Sequence, residues 1–345
     1  MSKSIIFCAD GTWQLPRNNT NVYQLYKGLI TSATQIAFYD DGVGADATGL
    51  QRIQDGVLGD SILQKVKDGY TQIAHVYEPG DSIYTFGFSR GAYTARSLAG
   101  MIAVCGLPAG GFDSALVDQA FAAYRDPVNR ATILAGLAKY QLQNCTIQMV
   151  GVWDTVGALG VPAIFGGVDL TQYGFLDTSL HPNVQHACHC MSIDEERKQF
   201  PATLWTSAPV GAQTIDQVWF CGCHGDVGGG TEVGGGVDDT TMLSDITLSW
   251  MVGKAAAFGV VFDPGFLAQC TAPAAKYSLD LIHESWKVVF GPPVARPIAA
   301  NATLSNSVQV RVQFALDYLP SNLKITTGAL DPGYTQVNVV DMNNI

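Results

Sequence analysis

Residues 81–99, DSIYTFGFSRGAYTARSLA, decide how the rest of the chain reads. Ile83, Tyr84, Phe86 and Phe88 form an apolar, aromatic run of the kind that fills a buried strand. Ala92, Ala95, Leu98 and Ala99 then recur at helical spacing. Between them stands Gly87-Phe88-Ser89-Arg90-Gly91, so a strand enters a tight turn with a serine at its apex and leaves as a helix. A bare G-x-S-x-G says little in a chain with 37 glycines. Set between a strand and a helix it has the context of a nucleophile elbow. Strand and helix nearly touch on either side of the serine, leaving no room for side chains at Gly87 and Gly91. The Arg90 N–H then lies at the helix N-terminus, where it can face a developing oxyanion.

Working outward, the pattern alternates. Ser4 to Ala9 reads as a strand ending in Asp10-Gly11-Thr12-Trp13. Thr20-Asn21 can cap a helix with the stripe Val22, Leu25, Tyr26, Leu29 and Ile30. Gln35 to Tyr39 is a second strand, followed by a glycine- and aspartate-rich loop over 40–49. The next helix has Ile62, Val66, Tyr70 and Ile73 on its apolar face. Beyond the elbow come helices over 113–124 and 128–142, a strand over 146–153, and an element over 186–193 whose type stays open. Residues 217–221 form a strand, and 243–258 a helix with Ser244 as its cap. This alternation implies an α/β fold: a mainly parallel central sheet with helices on both faces, α/β-hydrolase-like. Residues 158–184 lack periodicity and read as a lid or binding loop. After about residue 295, alternation at Val308, Val310, Val312, Phe314, Val337 and Val339 suggests a small β annex. The expected division is therefore 1–295 catalytic and 296–345 annex, packed as one body.

Composition narrows the function. The 345 residues are 47% hydrophobic and 14% charged, with a formal net charge of −11. That describes a globular chain, and with no basic cluster it speaks against nucleic-acid binding and against electrostatic capture by anionic membranes. The N-terminal apolar run is too short for a signal peptide and no stretch is long enough to span a bilayer, so a cytoplasmic protein is expected. The eight cysteines are then expected as thiols.

A serine nucleophile needs a base, and the base a carboxylate that fixes its tautomer. Of six histidines, His224 stands out: it follows a buried strand, sits among glycines and comes after the serine. His75, His181, His186, His189 and His283 have structural readings. Asp154 stands at the end of the strand Met149-Val150-Gly151-Val152-Trp153 and gives the order Ser, Asp, His expected of α/β-hydrolases. Asp194 and Asp226 are reserve candidates for the acid. Asp226, two residues from His224, reads better as a tie for the glycine loop. The Asp10 turn precedes the serine and is expected to supply a second oxyanion donor through Gly11 or Thr12. Cys188-His189-Cys190 and Cys221-Gly222-Cys223-His224 hint at zinc, but C-x-C is not the usual spacing, and in a strand such pairs share a face as apolar filling. The glycines over 228–236 lack the Lys-Ser/Thr ending of a phosphate loop. No metal and no cofactor is expected.

Five blocks carry a wider resemblance: Asp10-Gly11-Thr12-Trp13 with Asn21-Val22; Gly87 through Arg96; Val152-Trp153-Asp154-Thr155-Val156-Gly157; Ile193-Asp194-Glu195 with Arg197 and Phe200; and Val218-Trp219-Phe220 through His224-Gly225-Asp226-Val227-Gly228-Gly229-Gly230. In this order, over about residues 3–290, the chain resembles the DUF2235 family of α/β-hydrolases, the catalytic domain of Tle1-type phospholipase effectors of type VI secretion. Gly225 and Thr231 depart from the family's frequent Ser and Tyr. The resemblance implies a Ser-Asp-His triad at Ser89, Asp154 and His224 and hydrolysis of lipid or other hydrophobic carboxylic esters. It also implies a lipid or small-molecule ester as partner, transient contact with a membrane surface, and non-classical export if the chain is an effector. The alternatives are a hydrolase-fold binding module without turnover and an acyl hydrolase acting on a thioester or amide.

Overall fold

The computed structural model describes residues 2–11, 14–42, 57–109, 111–156, 179–233, 236–237 and 242–342. Thr12, most of the 40–49 loop and residues 158–178 of the expected lid lie outside them. Val184, at the other end of that stretch, already belongs to a strand.

The first half builds the sheet by repeated strand–helix units: β1 (Ser4–Ala9), α1 (Asn21–Gly28), β2 (Gln35–Asp40), α2 (Val57–Val76), β3 (Ser82–Phe88), α3 (Arg90–Cys105), α4 (Ser114–Arg125), α5 (Arg130–Gly136) and β4 (Ile147–Trp153). The second half adds β5 (Val184–Ser192), β6 (Thr214–Phe220), α6 (His224–Gly228), the small pair β7 (Glu232–Val233) and β8 (Gly236–Val237), α7 (Leu243–Ala257) and α8 (Pro264–Gln269). Then come β9 (Thr303–Ser305), α9 (Asn306–Phe314), β10 (Ile325–Thr326), β11 (Ala329–Leu330) and β12 (Thr335–Val337). Eight strands form one sheet in the order β12-β9-β6-β5-β4-β3-β1-β2, every pair parallel.

Alternation along the strands splits the core in two. In β1, Ile5, Phe7 and Ala9 face the layer of α2, α3 and α4, where Val66, Tyr70, Leu98 and Ile102 pack. Ile6 and Cys8 face the layer of α1, α7 and α9, with Val22, Leu25, Met251 and Val308. The chain order reverses across β1, whose neighbours β2 and β3 run outward on either side. Such a switch point opens a crevice at the carboxyl ends of the strands, and Asp10 and Ser89 stand there.

Several expectations hold and some need correction. Thr20 caps α1, accepting from the Tyr23 N–H at 3.2 Å. The element over 186–193 is the strand β5. A helix over 128–142 is replaced by the shorter α5 and a 3-10 turn over Ala138–Tyr140; α5 buries no side chain, so nothing extends it. Ser244 does not cap α7, whose first residues are held by Asp280 accepting from the Met242 N–H. The alternating run at 308–314 is a helix, capped by Ser305, and not a strand. Val308, Val310 and Val312 are all buried there, and a helix covered on most sides loses its one-sided signature. A small antiparallel sheet is present after residue 296, formed by β10 and β11, while β9 and β12 extend the main sheet.

Candidate active site

Ser89 sits between β3 and α3 with φ 57° and ψ −120°, a conformation a non-glycine residue adopts only under constraint. The constraint comes from both sides. The Ser89 N–H donates to Trp153 O at 3.0 Å, tying the apex to β4. A Cβ at Gly87 would lie 2.3 Å from Gly91 O, and one at Gly91 would lie 2.2 Å from Ala9 O. The two glycines are therefore demanded by close backbone approach.

Asp154 follows β4 directly, also at positive φ (40°), with its N–H donating to Cys190 O at 2.7 Å in the next strand. His224 is the first residue of the short helix α6, a more regular setting than the open glycine loop expected. The three meet at the carboxyl edge of the sheet: His224 Nε2 lies 2.8 Å from Ser89 Oγ, and His224 Nδ1 lies 2.5 Å from Asp154 Oδ2. Asp154 is an acceptor, so Nδ1 carries the proton and Nε2 is left to accept from the serine hydroxyl. Phe88 and Phe200 flank the imidazole, their ring centroids 4.7 and 5.3 Å away.

The other carboxylates are engaged elsewhere. Asp194 accepts from the Gly222 N–H and from Tyr318, and burial pushes it up to about 6. Asp226 accepts from the Cys223 N–H and pairs with His283 Nδ1 at 2.5 Å. Asp10 accepts from Thr20, Tyr39 and the Gly11 N–H, and burial raises it to about 6. The Gly11 N–H, expected to face an oxyanion, is thus held by Asp10 Oδ1 at 2.7 Å. Arg90 opens α3, whose first-turn N–H groups have no partner inside the helix. Cys188 and Cys190 point into the α1/α7 core, whereas the His189 ring, in the strand between them, accepts from the Thr155 N–H at 3.0 Å. The eight cysteines carry no disulfide.

Three contributors were given no role at the site by the sequence reading. Arg296 is 4% exposed and grips Asp154 with both arms, Nη1 to Oδ1 at 2.6 Å and Nη2 to Oδ2 at 2.9 Å. Burial alone raises a carboxyl group; here the guanidinium and the His224 hydrogen bond overcome it and hold Asp154 well below the usual carboxylate range. Glu195 pairs with Arg197 and accepts from the His224 backbone N–H at 3.3 Å. His283, backed by Asp226, borders the same cavity as Ser89. Glu195 lies in one of the quoted blocks but no role was read for it, and no local motif marks His283 and Arg296, which reach the site from 57 and 142 positions away from their partners.

The cavity over Ser89 has a volume of about 290 Å³ and is bordered by Phe88, Ser89, Phe200, His224, His283 and Lys287. A second hollow of about 320 Å³ beside α3 and α4, around Arg96 and Tyr124, includes none of Ser89, His224 and Asp154. Among the described residues no helix is long and apolar enough to cross a membrane.

Fold and site together define a parallel α/β protein with a serine, a histidine and an aspartate in one hydrogen-bonded line at the carboxyl edge of its sheet. Residues 3–254 match the family described as the T6SS phospholipase effector Tle1-like catalytic domain, and the chain belongs to that family. It is 32% identical over 238 residues to an uncharacterized protein of Saccharomyces cerevisiae, covering 60% of this chain and 33% of that protein. Among solved structures it is similar to an uncharacterized protein from Pseudomonas aeruginosa (17% identity, TM-score 0.45, 78% of this chain and 49% of that one). It is also similar to the Tle1 effector bound to the VgrG spike of the type VI secretion system (15% identity, TM-score 0.35, 70% and 53%). The chain therefore spans about a third of the yeast relative and about half of each solved structure.

Proposed function

We propose that this chain is a serine hydrolase of carboxylic esters with hydrophobic acyl groups, phospholipase-like in substrate class, acting through Ser89, His224 and Asp154. The observation that carries the reading is the line from Ser89 Oγ through both imidazole nitrogens to the Asp154 carboxylate. Membership in a family named for phospholipase effectors agrees with it.

In the proposed reaction Ser89 Oγ attacks the ester carbonyl carbon while its proton passes to His224 Nε2. The carbonyl π electrons move onto oxygen, and the Arg90 N–H at the start of α3 stabilises that oxyanion. The C–O bond breaks, and the alcohol leaves with the proton from His224. Water then gives a proton to His224 and attacks the acyl-serine; collapse returns the proton to Ser89 and frees the acid. Asp154 stays ionised and balances the imidazolium. The apolar flank supports a lipid substrate: Leu281 and Val288, 62% and 83% exposed, bracket the stretch that lends His283 and Lys287 to the cavity.

Hydrolysis of p-nitrophenyl esters of increasing chain length tests the proposal. The rate is expected to rise with acyl length and to fall by about four orders of magnitude or more in Ser89→Ala and in His224→Ala. Absence of both turnover and fluorophosphonate labelling in the wild type overturns it.

A further inference from the structure

Arg296 has no place in an ordinary serine triad, whose aspartate faces one imidazole and a few neutral donors. Here Asp154 Oδ1 accepts from the Ser192 N–H and Arg296 Nη1, and Oδ2 from His224 Nδ1 and Arg296 Nη2. The guanidinium is in turn clamped by backbone carbonyls: Ser192 O from Nη1 at 3.0 Å, and Phe200 O from Nε at 3.0 Å and Nη2 at 2.6 Å. A planar fork held at five points fixes both the position and the plane of the carboxylate it grips.

Arg296 also lies beyond residues 3–254, the part of the chain that the family match covers. It arrives on a strap, residues 280–297, that is sewn along the site. His283 bonds Asp226, Ser285 bonds Glu195 at 2.9 Å, and Gln199 bonds Phe290 O at 3.1 Å. The Val294 N–H donates to Glu196 O at 2.9 Å.

We infer that Arg296 is a positioning residue of the reaction proposed above: it orients Asp154 for His224 and cancels the aspartate's charge, so that His224 stays a neutral base at lower pH than in a triad with a lone carboxylate. The inference rests on the triad reading. Its physical basis is charge balance in a buried space. An unpaired Asp154 would favour the imidazolium strongly; with Arg296 in place, protonating His224 adds a net positive charge to a site already neutral. The other groups that face or border His224 are Glu195 and Arg197, which neutralise each other after β5, Arg90 at the start of α3, Asp226 in α6, and His283, Glu284 and Lys287 on the strap. Burial is the main force that lowers His224, with Asp154 opposing it and Arg197 adding to it.

The test is the pH profile of kcat/KM for a p-nitrophenyl ester in Arg296→Gln and Arg296→Lys. In the Gln variant the acidic limb is expected to move up by about one pH unit or more, as loss of a buried neighbouring charge dictates. kcat should fall about 10- to 100-fold while KM stays within about twofold. The Lys variant, which keeps the charge and loses the fork, should return the limb close to its wild-type position. An unmoved limb in a folded Gln variant, or equal loss of rate in both variants with the limb unmoved, overturns the inference. If Arg296→Gln does not fold, the pair Asp154→Asn and Asp154→Asn/Arg296→Gln decides, the double variant carrying neither buried charge. Equal rates within about twofold support action through Asp154, and a further tenfold loss overturns it. Full activity in Ser89→Ala, by contrast, removes the triad reading itself, and Arg296 with it.

Discussion

At Ser89 and Asp154 the chain stores backbone strain where it places chemistry. Both have positive φ, both are buried, and each N–H is tied to a carbonyl of the adjacent strand. A non-glycine residue in such a region costs about 1–3 kcal/mol and persists only when its surroundings hold it. The strain lifts the Ser89 hydroxyl off the sheet and turns the Asp154 carboxylate towards His224. Ser89→Gly relieves this strain and Ser89→Ala does not. With the Ser89 hydroxyl absent from both, Ser89→Gly is expected to be the more stable by about 1 kcal/mol in urea denaturation. Equal stability would mean that the turn is unstrained.

Among the elements, the tightest constraint is where α3 leaves β3 across the end of β1. The Gly91 Cα lies so close to Ala9 and Asp10 that an added Cβ would sit 2.2 Å from one carbonyl oxygen and 2.4 Å from the other. Gly91→Ala must push β1 and α3 apart. It is expected to cost about 1–3 kcal/mol and to abolish ester hydrolysis by displacing Ser89. Gly253, inside α7 with nothing within 4 Å of an added Cβ, is the control: Gly253→Ala should stabilise by about 0.5–1 kcal/mol with activity unchanged. Both are read from thermal or urea unfolding beside the ester assay. Asn21 does comparable work between elements, its side-chain amide donating to Val227 O, Ser244 O and Thr247 Oγ1. One residue of α1 thereby holds the His224 helix and α7 in register.

Over the whole molecule, stability and pH are linked through groups the site keeps buried. His189 lies under the Asp154 turn, and burial, reinforced by Arg96, pushes it down to about 3. A histidine lowered by folding adds stability that is complete above its unfolded value near 6.5 and is lost as pH falls towards 3. Between pH 7 and pH 5 the wild type therefore loses about 2 kcal/mol through this group alone. His189→Gln has no such loss, so the stability gap between wild type and variant should narrow by that amount over the same interval. Parallel unfolding curves at pH 7 and pH 5 measure it, and a constant gap would show that His189 is not buried as a neutral base.

Local sequence determined the parallel α/β plan, the elbow and the three residues that meet at it. Those signals are short in range: a run of apolar residues fills a strand, and a glycine, serine, aspartate or histidine just past a strand's end falls on the same edge of a parallel sheet. The helix over 306–314 was not legible because burial from several sides overrides periodicity, whereas α5 stops early because it buries no side chain and the start of α7 is held by the distant Asp280. The partners of the site were not legible either. Asp154, Asp194 and Asp226 were all candidates for the acid in the sequence, and only the packed structure distributes them among His224, Gly222 with Tyr318, and His283. Arg296 reaches Asp154 across 142 positions, and a contact of that range is made by the sheet's topology and by the charge that must be balanced once the carboxylate leaves water.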